Sequence, residues 1–243
     1  MAKFGLIGRN IAYSFSKRFF SEKFERENLQ HTYENFDISS IQKFQKILQE
    51  TPHLKGLNVT IPYKEEIIPF LDSLDADAEK IGAVNTIKIS EEGKLTGYST
   101  DHFGFQKSLE AFLPLRQKTA LILGTGGASK AVAYALHKLG FEFKFVSRKK
   151  TTAGLLYSEM DKSTIENHPL IINCTPLGTF PNIADCPPLS YQFLTKNHLL
   201  FDLIYNPTET EFLKRGKIQG AQTTNGLKML ELQAEKAWEI WNS

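Results

Sequence analysis

Lys64 ends the run Gly56-Leu57-Asn58-Val59-Thr60-Ile61-Pro62-Tyr63-Lys64, in which a short apolar strand gives way to a proline-stopped turn. Strand ends are where an α/β protein usually places its chemistry. Asp101 ends a second such segment, Gly97-Tyr98-Ser99-Thr100-Asp101, and the glycine-rich turn Gly124-Thr125-Gly126-Gly127-Ala128 follows. A positioned ammonium can deliver a proton, and a neighbouring carboxylate would hold its charge and place while partial burial lowers its pKa toward neutrality. Glycines between a strand and a helix let the backbone approach a pyrophosphate at the helix N-terminus. Together these residues make hydride transfer the leading reading. Plainer roles stand beside it: a solvated surface lysine, and an aspartate that only caps a helix starting at His102.

The elements that must position these groups alternate along the chain. Residues 3–7 read as a buried strand, 17–28 as an amphipathic helix and 31–37 as a second strand. Ser39-Ser40 offers an N-cap for a helix through residue 50, residues 54–59 are a strand, and 63–71 a short helix after Pro62. Residues 84–90 and 94–98, joined across Glu91-Glu92-Gly93, form a hairpin. At 119 the rhythm restarts with strand 119–123, the glycine turn, helix 128–139 ended by Gly140, and strand 141–146, one βαβ unit. Strands at 170–174 and 199–205 continue it, so a parallel sheet with helices on both faces is expected. Residues 181–188 form a polar, proline-bearing loop. The last helix, 226–241, carries Leu227, Leu230, Ala234, Ala237 and Trp241 on one face that needs a partner.

Composition bounds the possibilities. The chain has 243 residues, 41% of them hydrophobic, enough for two modest domains. A net charge of +2 favours neither nucleic acid nor an anionic membrane as partner. Cys174 and Cys186 make no disulfide framework and no metal-ligand spacing, which fits a reducing cytoplasm and no metal; Cys174 reads as a small packing residue. No run of roughly 18 apolar residues could span a bilayer, and the start is too short an apolar run for a signal peptide.

At the motifs above the chain resembles the shikimate dehydrogenases, and the likeness runs nearly its whole length. It includes Phe4-Gly5-Leu6-Ile7-Gly8 with Ser14 and Ser16, Ile81-Gly82-Ala83-Val84-Asn85-Thr86, Asn173-Cys174-Thr175-Pro176-Leu177-Gly178, and Asn225-Gly226-Leu227 with Gln233. The resemblance implies NADP-linked, reversible reduction of 3-dehydroshikimate to shikimate, on the route to chorismate and the aromatic amino acids. It also implies an α/β fold with an N-terminal substrate domain, a Rossmann-like NADP-binding domain and a cleft between them. The substrate domain would be discontinuous, 1–101 plus 225–243, with 102–224 inserted. A cytoplasmic monomer or homodimer is expected, with quinate/shikimate dehydrogenase using NAD as the alternative.

Residue by residue, the resemblance gives Lys64 and Asp101 the catalytic roles. Ser14 and Ser16 would hold the substrate carboxylate, Thr60 and Asn85 the ring hydroxyls, with Tyr205 and Gln233 reaching in from the far side of the cleft. Read alone, Ser14 or Ser16 would more often cap a helix and Gln233 be solvated. The cofactor is assigned to Gly124, Thr125, Gly126, Gly127 and Ala128, in the variant Gly-x-Gly-Gly-Ala-x-x-Ala with Ser129 at the usual third glycine. To these are added Ser147, Arg148, Lys149, Thr175, Leu203 and Gly226. Where NAD enzymes usually carry an acid for the ribose hydroxyl, this chain has Ser147-Arg148-Lys149-Lys150, which favours NADP; Lys150 reads as a solvated turn. The chain departs from the family at Tyr13, Lys17, Ser99 and Lys228, which puts turnover rate and substrate choice in question more than reaction class.

Overall fold

The computed structural model describes residues 1–12, 14–149 and 154–243; Tyr13 and Lys150 lie outside them. The chain divides into two compact units, Met1–Phe103 with Leu230–Ser243, and Gly104–Met229.

The first unit is built on a six-stranded sheet. β1 (Lys3–Gly8) lies between β2 (Thr32–Asp37) and β3 (Leu54–Val59), all parallel. The sheet continues past β3 through the hairpin and ends on β4 (Ser73–Leu74); the hairpin strands are β5 (Thr86–Ile89) and β6 (Leu95–Tyr98). β5 runs antiparallel to both β3 and β6. Because side chains alternate along a strand, β1 serves two cores. Phe4 and Leu6 pack with Phe20 and Phe24 of α1 (Phe15–Arg26) and with Ala234, Ala237 and Trp241 of the C-terminal helix. Ile7 joins Leu57, Val59 and, from α2 (Phe44–Glu50), Phe44 and Ile47. Gly56 is required where Trp241 crosses the sheet, because a Cβ there would meet the indole at 2.3 Å.

Several expectations need correction here. Ser40 caps nothing: its hydroxyl donates to the Gln42 side chain, and a 3-10 turn, Ile41–Lys43, precedes α2. Residues 63–71 are turns closing in a 3-10 segment, Ile68–Phe70, because Pro69 has no N–H to extend a helix. Unforeseen is α3 (Ala76–Ile81), capped by the Asp75 carboxylate and ended by Gly82 at φ +68°. α4 (Asp101–Glu110) follows β6.

The second unit is a parallel sheet in the order β12-β11-β10-β7-β8-β9. In chain order its elements are β7 (Thr119–Leu123), α5 (Gly127–Lys138), β8 (Glu142–Ser147) and β9 (Gly154–Leu156). Then come α6 (Lys162–Glu166), β10 (Leu170–Asn173), β11 (Leu199–Asp202), α7 (Glu211–Ile218) and β12 (Gln222–Thr224), before α8 (Leu227–Asn242). Ala120 and Ile122 face Val132 and Leu136 of α5, while Leu121 and Leu123 face Phe212 and Leu213 of α7. The doubly covered sheet is therefore read out of one alternating strand. β11 stops at Asp202, not at residue 205, because the Asp202 carboxylate takes the Ile204 N–H out of the ladder. Leu227 is not on the buried face of α8; it is 37% exposed. Among the described residues no helix is long and apolar enough to cross a membrane.

Candidate active site

In the first unit, β3 runs into the turn that carries Lys64. The Lys64 carbonyl accepts the Val84 N–H at 2.8 Å, so the backbone is pinned. Its ammonium donates to Asp101 Oδ2 at 2.5 Å, with side chains only 16% and 8% exposed. The other carboxylate oxygen accepts from Asn85 Nδ2 at 2.9 Å. Each oxygen of the Asp101 carboxylate is thus engaged, one by the lysine and the other by the amide.

Asn85 is the hub of this region. Its Nδ2 also approaches Thr100 Oγ1 at 2.9 Å and Gln233 Oε1 at 3.1 Å, and its Oδ1 accepts the Thr100 N–H at 2.6 Å. The polar chain continues inward: Asn58 Nδ2 donates to Thr86 Oγ1 at 3.2 Å, and Tyr33 donates to Asn58 Oδ1 at 2.7 Å. Burial pushes the Tyr33 phenol well up, against a hydrogen bond from Ser16. Every member buried in this way has partners, which is what a fixed, low-dielectric site requires. Lys64, Asn85, Asp101 and Gln233 are thus brought together. Tyr33, Asn58, Thr86 and Thr100 were missed as members, although polar residues inside strand-like apolar runs were the available signal.

Ser14 is the N-cap of α1: its Oγ accepts the Lys17 N–H at 3.1 Å and donates to Asn35 Oδ1 at 3.0 Å. Ser16 is buried in the first turn of that helix. No acidic residue lies in that turn, which leaves its positive end open to an anion. Thr60 is half-buried after β3, its N–H tied to the Ile7 carbonyl at 2.8 Å. Lys17 and Lys228 are exposed and Ser99 is buried.

In the second unit, Gly124 leaves β7 at φ +105°, where a Cβ would lie 3.2 Å from the Thr175 methyl. Around Gly126 a Cβ would meet nothing within 4 Å, and Thr125 and Gly126 are exposed. α5 begins there with no side-chain cap and no acid in its first turn, so no side chain of its own caps the N–H groups of Gly127 and Ala128. Ser129, at the usual third glycine, is buried and donates to the Gly126 carbonyl at 2.6 Å. β8 ends in Ser147, whose hydroxyl donates to the Lys149 carbonyl, while Arg148 and Lys149 are exposed. The turn thus fits a pyrophosphate and the basic pair a further phosphate.

Thr175 donates N–H and hydroxyl to Asn173 Oδ1 at 3.0 and 2.6 Å. Leu203 and Gly226 are in contact: a Cβ on Gly226 would lie 2.1 Å from the Leu203 carbonyl oxygen. Tyr205 is half-buried beyond β11 and belongs to this second unit. Burial pushes the Cys174 thiol well up, so it is inert packing. Among the described residues no group of three His, Cys, Asp or Glu is placed to hold a metal ion.

Known proteins are similar to this chain in sequence and fold. Residues 6–87 match the family model described as shikimate dehydrogenase substrate binding domain. A curated relative from Clostridium botulinum, named shikimate dehydrogenase (NADP(+)), is 38% identical over 98% of this chain and 95% of its own. The crystal structure of shikimate dehydrogenase 1 from Peptoclostridium difficile is 40% identical with TM-score 0.86, covering 100% of this chain and 92% of that one. The Thermus thermophilus enzyme solved with NADP(H) and shikimate is 29% identical with TM-score 0.86, covering 99% and 93%.

Proposed function

The chain belongs to the shikimate dehydrogenase family, and from that premise we propose that it catalyses the reversible NADPH-linked reduction of 3-dehydroshikimate to shikimate. The observation that carries the reading is the buried Lys64–Asp101 pair braced by Asn85. Reducing a ring ketone needs a proton at the nascent alkoxide, and Lys64 is the group to give it. Asp101 aims the ammonium and accepts from substrate hydroxyls, while Asn85, Thr60 and Gln233 hold the ring. Ser14 and Ser16 take the carboxylate at the positive end of α1.

NADPH, when bound, supplies the hydride. The residues that would hold it are Gly124 to Ala128 for the pyrophosphate and Ser147, Arg148 and Lys149 for the 2′-phosphate, with Thr175, Leu203 and Gly226 lining the groove. Tyr205 is proposed for the substrate on the family resemblance alone. The discontinuous unit is then the substrate domain and Gly104–Met229 the cofactor domain. A cytoplasmic setting goes with this reading, supported by two free cysteines.

The deciding assay follows absorbance of the reduced nicotinamide with shikimate or quinate and with NADP or NAD. Turnover with shikimate and NADP is expected to exceed every other pairing; turnover with quinate and NAD alone would reject the assignment.

A further inference from the structure

Asp202 ends β11 fully buried, and its donors are neutral. Oδ1 accepts from Asn173 Nδ2 and from the Ile204 N–H, both at 3.0 Å, and Oδ2 accepts from the Thr210 hydroxyl at 2.5 Å. No cation pairs with it among the described residues. A buried carboxylate without a counter-charge is a poor way to stabilise a core, and a neutral side chain would fill the space at lower cost. Its bonds therefore invite a positional explanation.

They lead in two directions. Asn173 is the last residue of β10 and sits in register with Asp202. Its Nδ2 is held by Asp202, so its Oδ1 is turned to accept both donors of Thr175. Thr175 in turn packs on Gly124, at the start of the turn after β7. Through the Ile204 N–H the same carboxylate oxygen bends the chain after β11, placing the Leu203 carbonyl against Gly226. Resting on the function proposed above, we infer that Asp202 is a positioning residue for the cofactor side. One carboxylate oxygen sets the carboxyl ends of β10 and β11 relative to the glycine turn. Thr175, Leu203 and Gly226, all expected at the cofactor, are spaced by it.

The geometry needs Oδ1 as an acceptor, not the charge. Asn keeps that acceptor and can donate its amide to the Thr210 oxygen; Ala keeps neither. Asp202→Ala is therefore expected to raise the NADP dissociation constant, measured by calorimetry, about tenfold, with the NADP KM rising in parallel and the shikimate KM within about twofold. Asp202→Asn should restore NADP binding to within about threefold. Thr210→Val, which removes the Oδ2 donor and the N-cap of α7 but leaves the bonds to Oδ1 in place, should lower the unfolding midpoint and leave NADP binding unchanged. A folded Asp202→Ala protein that binds NADP normally overturns the inference, as does an Asn variant as impaired as the Ala one. Should Asp202→Ala fail to fold, Asn173→Ala cuts the same relay at a residue not assigned to the cofactor and carries the same expectation, and normal NADP binding by it overturns the inference. Wild-type protein that binds NADP without oxidising shikimate would reject the functional reading while the dissociation constants still decide this one; wild type that does not bind NADP rejects both.

Discussion

Each unit buries an aspartate at the end of a strand or the start of a helix, and the two are provided for in opposite ways. Asp101 faces an ammonium at 2.5 Å and an amide. Asp202 faces a hydroxyl, an amide and a backbone N–H. Burial without a counter-charge pushes the Asp202 carboxyl up to about 6. A buried carboxylate alone therefore does not mark a reactive centre; its partner does. On the proposed reading, the cation held beside Asp101 is a proton donor in a fixed place, whereas the neutral donors around Asp202 make it a brace.

The largest test of that contrast is Lys64→Ala. Losing a general acid typically lowers the rate about a hundredfold to ten-thousandfold, and the loss should appear in kcat with shikimate KM little changed. Asp101→Asn should also impair turnover, whereas Asp202→Asn should leave kcat near wild type. Equal damage from the two Asn substitutions would erase the distinction between reactive and bracing carboxylates.

The next test reads Asp202 through stability. Its folded pKa lies above the ordinary value, so its stabilising contribution is full below about pH 4 and is lost as pH rises through about 6. The rise corresponds to roughly 3 kcal/mol across that window. Asp202→Asn does not titrate, so the variant should gain that amount relative to wild type between pH 4 and 7 in urea unfolding. A difference that stays constant with pH would mean the carboxylate is not held as described.

A smaller effect concerns the exposed charge of the second unit. Arg148 stands at the surface after β8, where a phosphate can reach it. Arg148→Ala should raise the KM for NADP roughly tenfold and leave the KM for NAD unchanged, since a charge-assisted contact would be lost. An equal rise for both cofactors would move the selectivity elsewhere.

The two regions were not equally legible in the sequence. The glycine turn was readable because a parallel β-α-β rhythm and Gly124 dictate it locally, and the absence of an acid near Arg148 is itself a signal. Lys64 and Asp101 stood out as polar ends of apolar runs. Their brace did not: Asn58, Thr86 and Thr100 meet only when β3, β5 and β6 pair, which no local pattern states. Asp202 was hidden for the same reason, read as the middle of a longer strand because Leu203, Ile204 and Tyr205 continue the apolar run. Short elements such as β9, β12 and α6 have too few residues for a period to show.

The finest test asks whether neutral donors, sufficient to hold Asp202, also serve a substrate anion at Ser14. In the structure Ser14 is a cap, accepting from Lys17 and donating its single proton to Asn35. A capping role alone predicts that loss of function follows loss of stability. Ser14→Ala should lower stability by about 1 kcal/mol, but Ser14→Gly by only a few tenths, because glycine caps far better than alanine. Both lack the hydroxyl. If that hydroxyl also meets the substrate carboxylate, the two variants should raise shikimate KM by the same severalfold factor despite their different stabilities. A KM that rises in Ser14→Ala and stays at the wild-type value in Ser14→Gly would reduce Ser14 to its cap and leave the anion to Ser16 and the first-turn amides of α1.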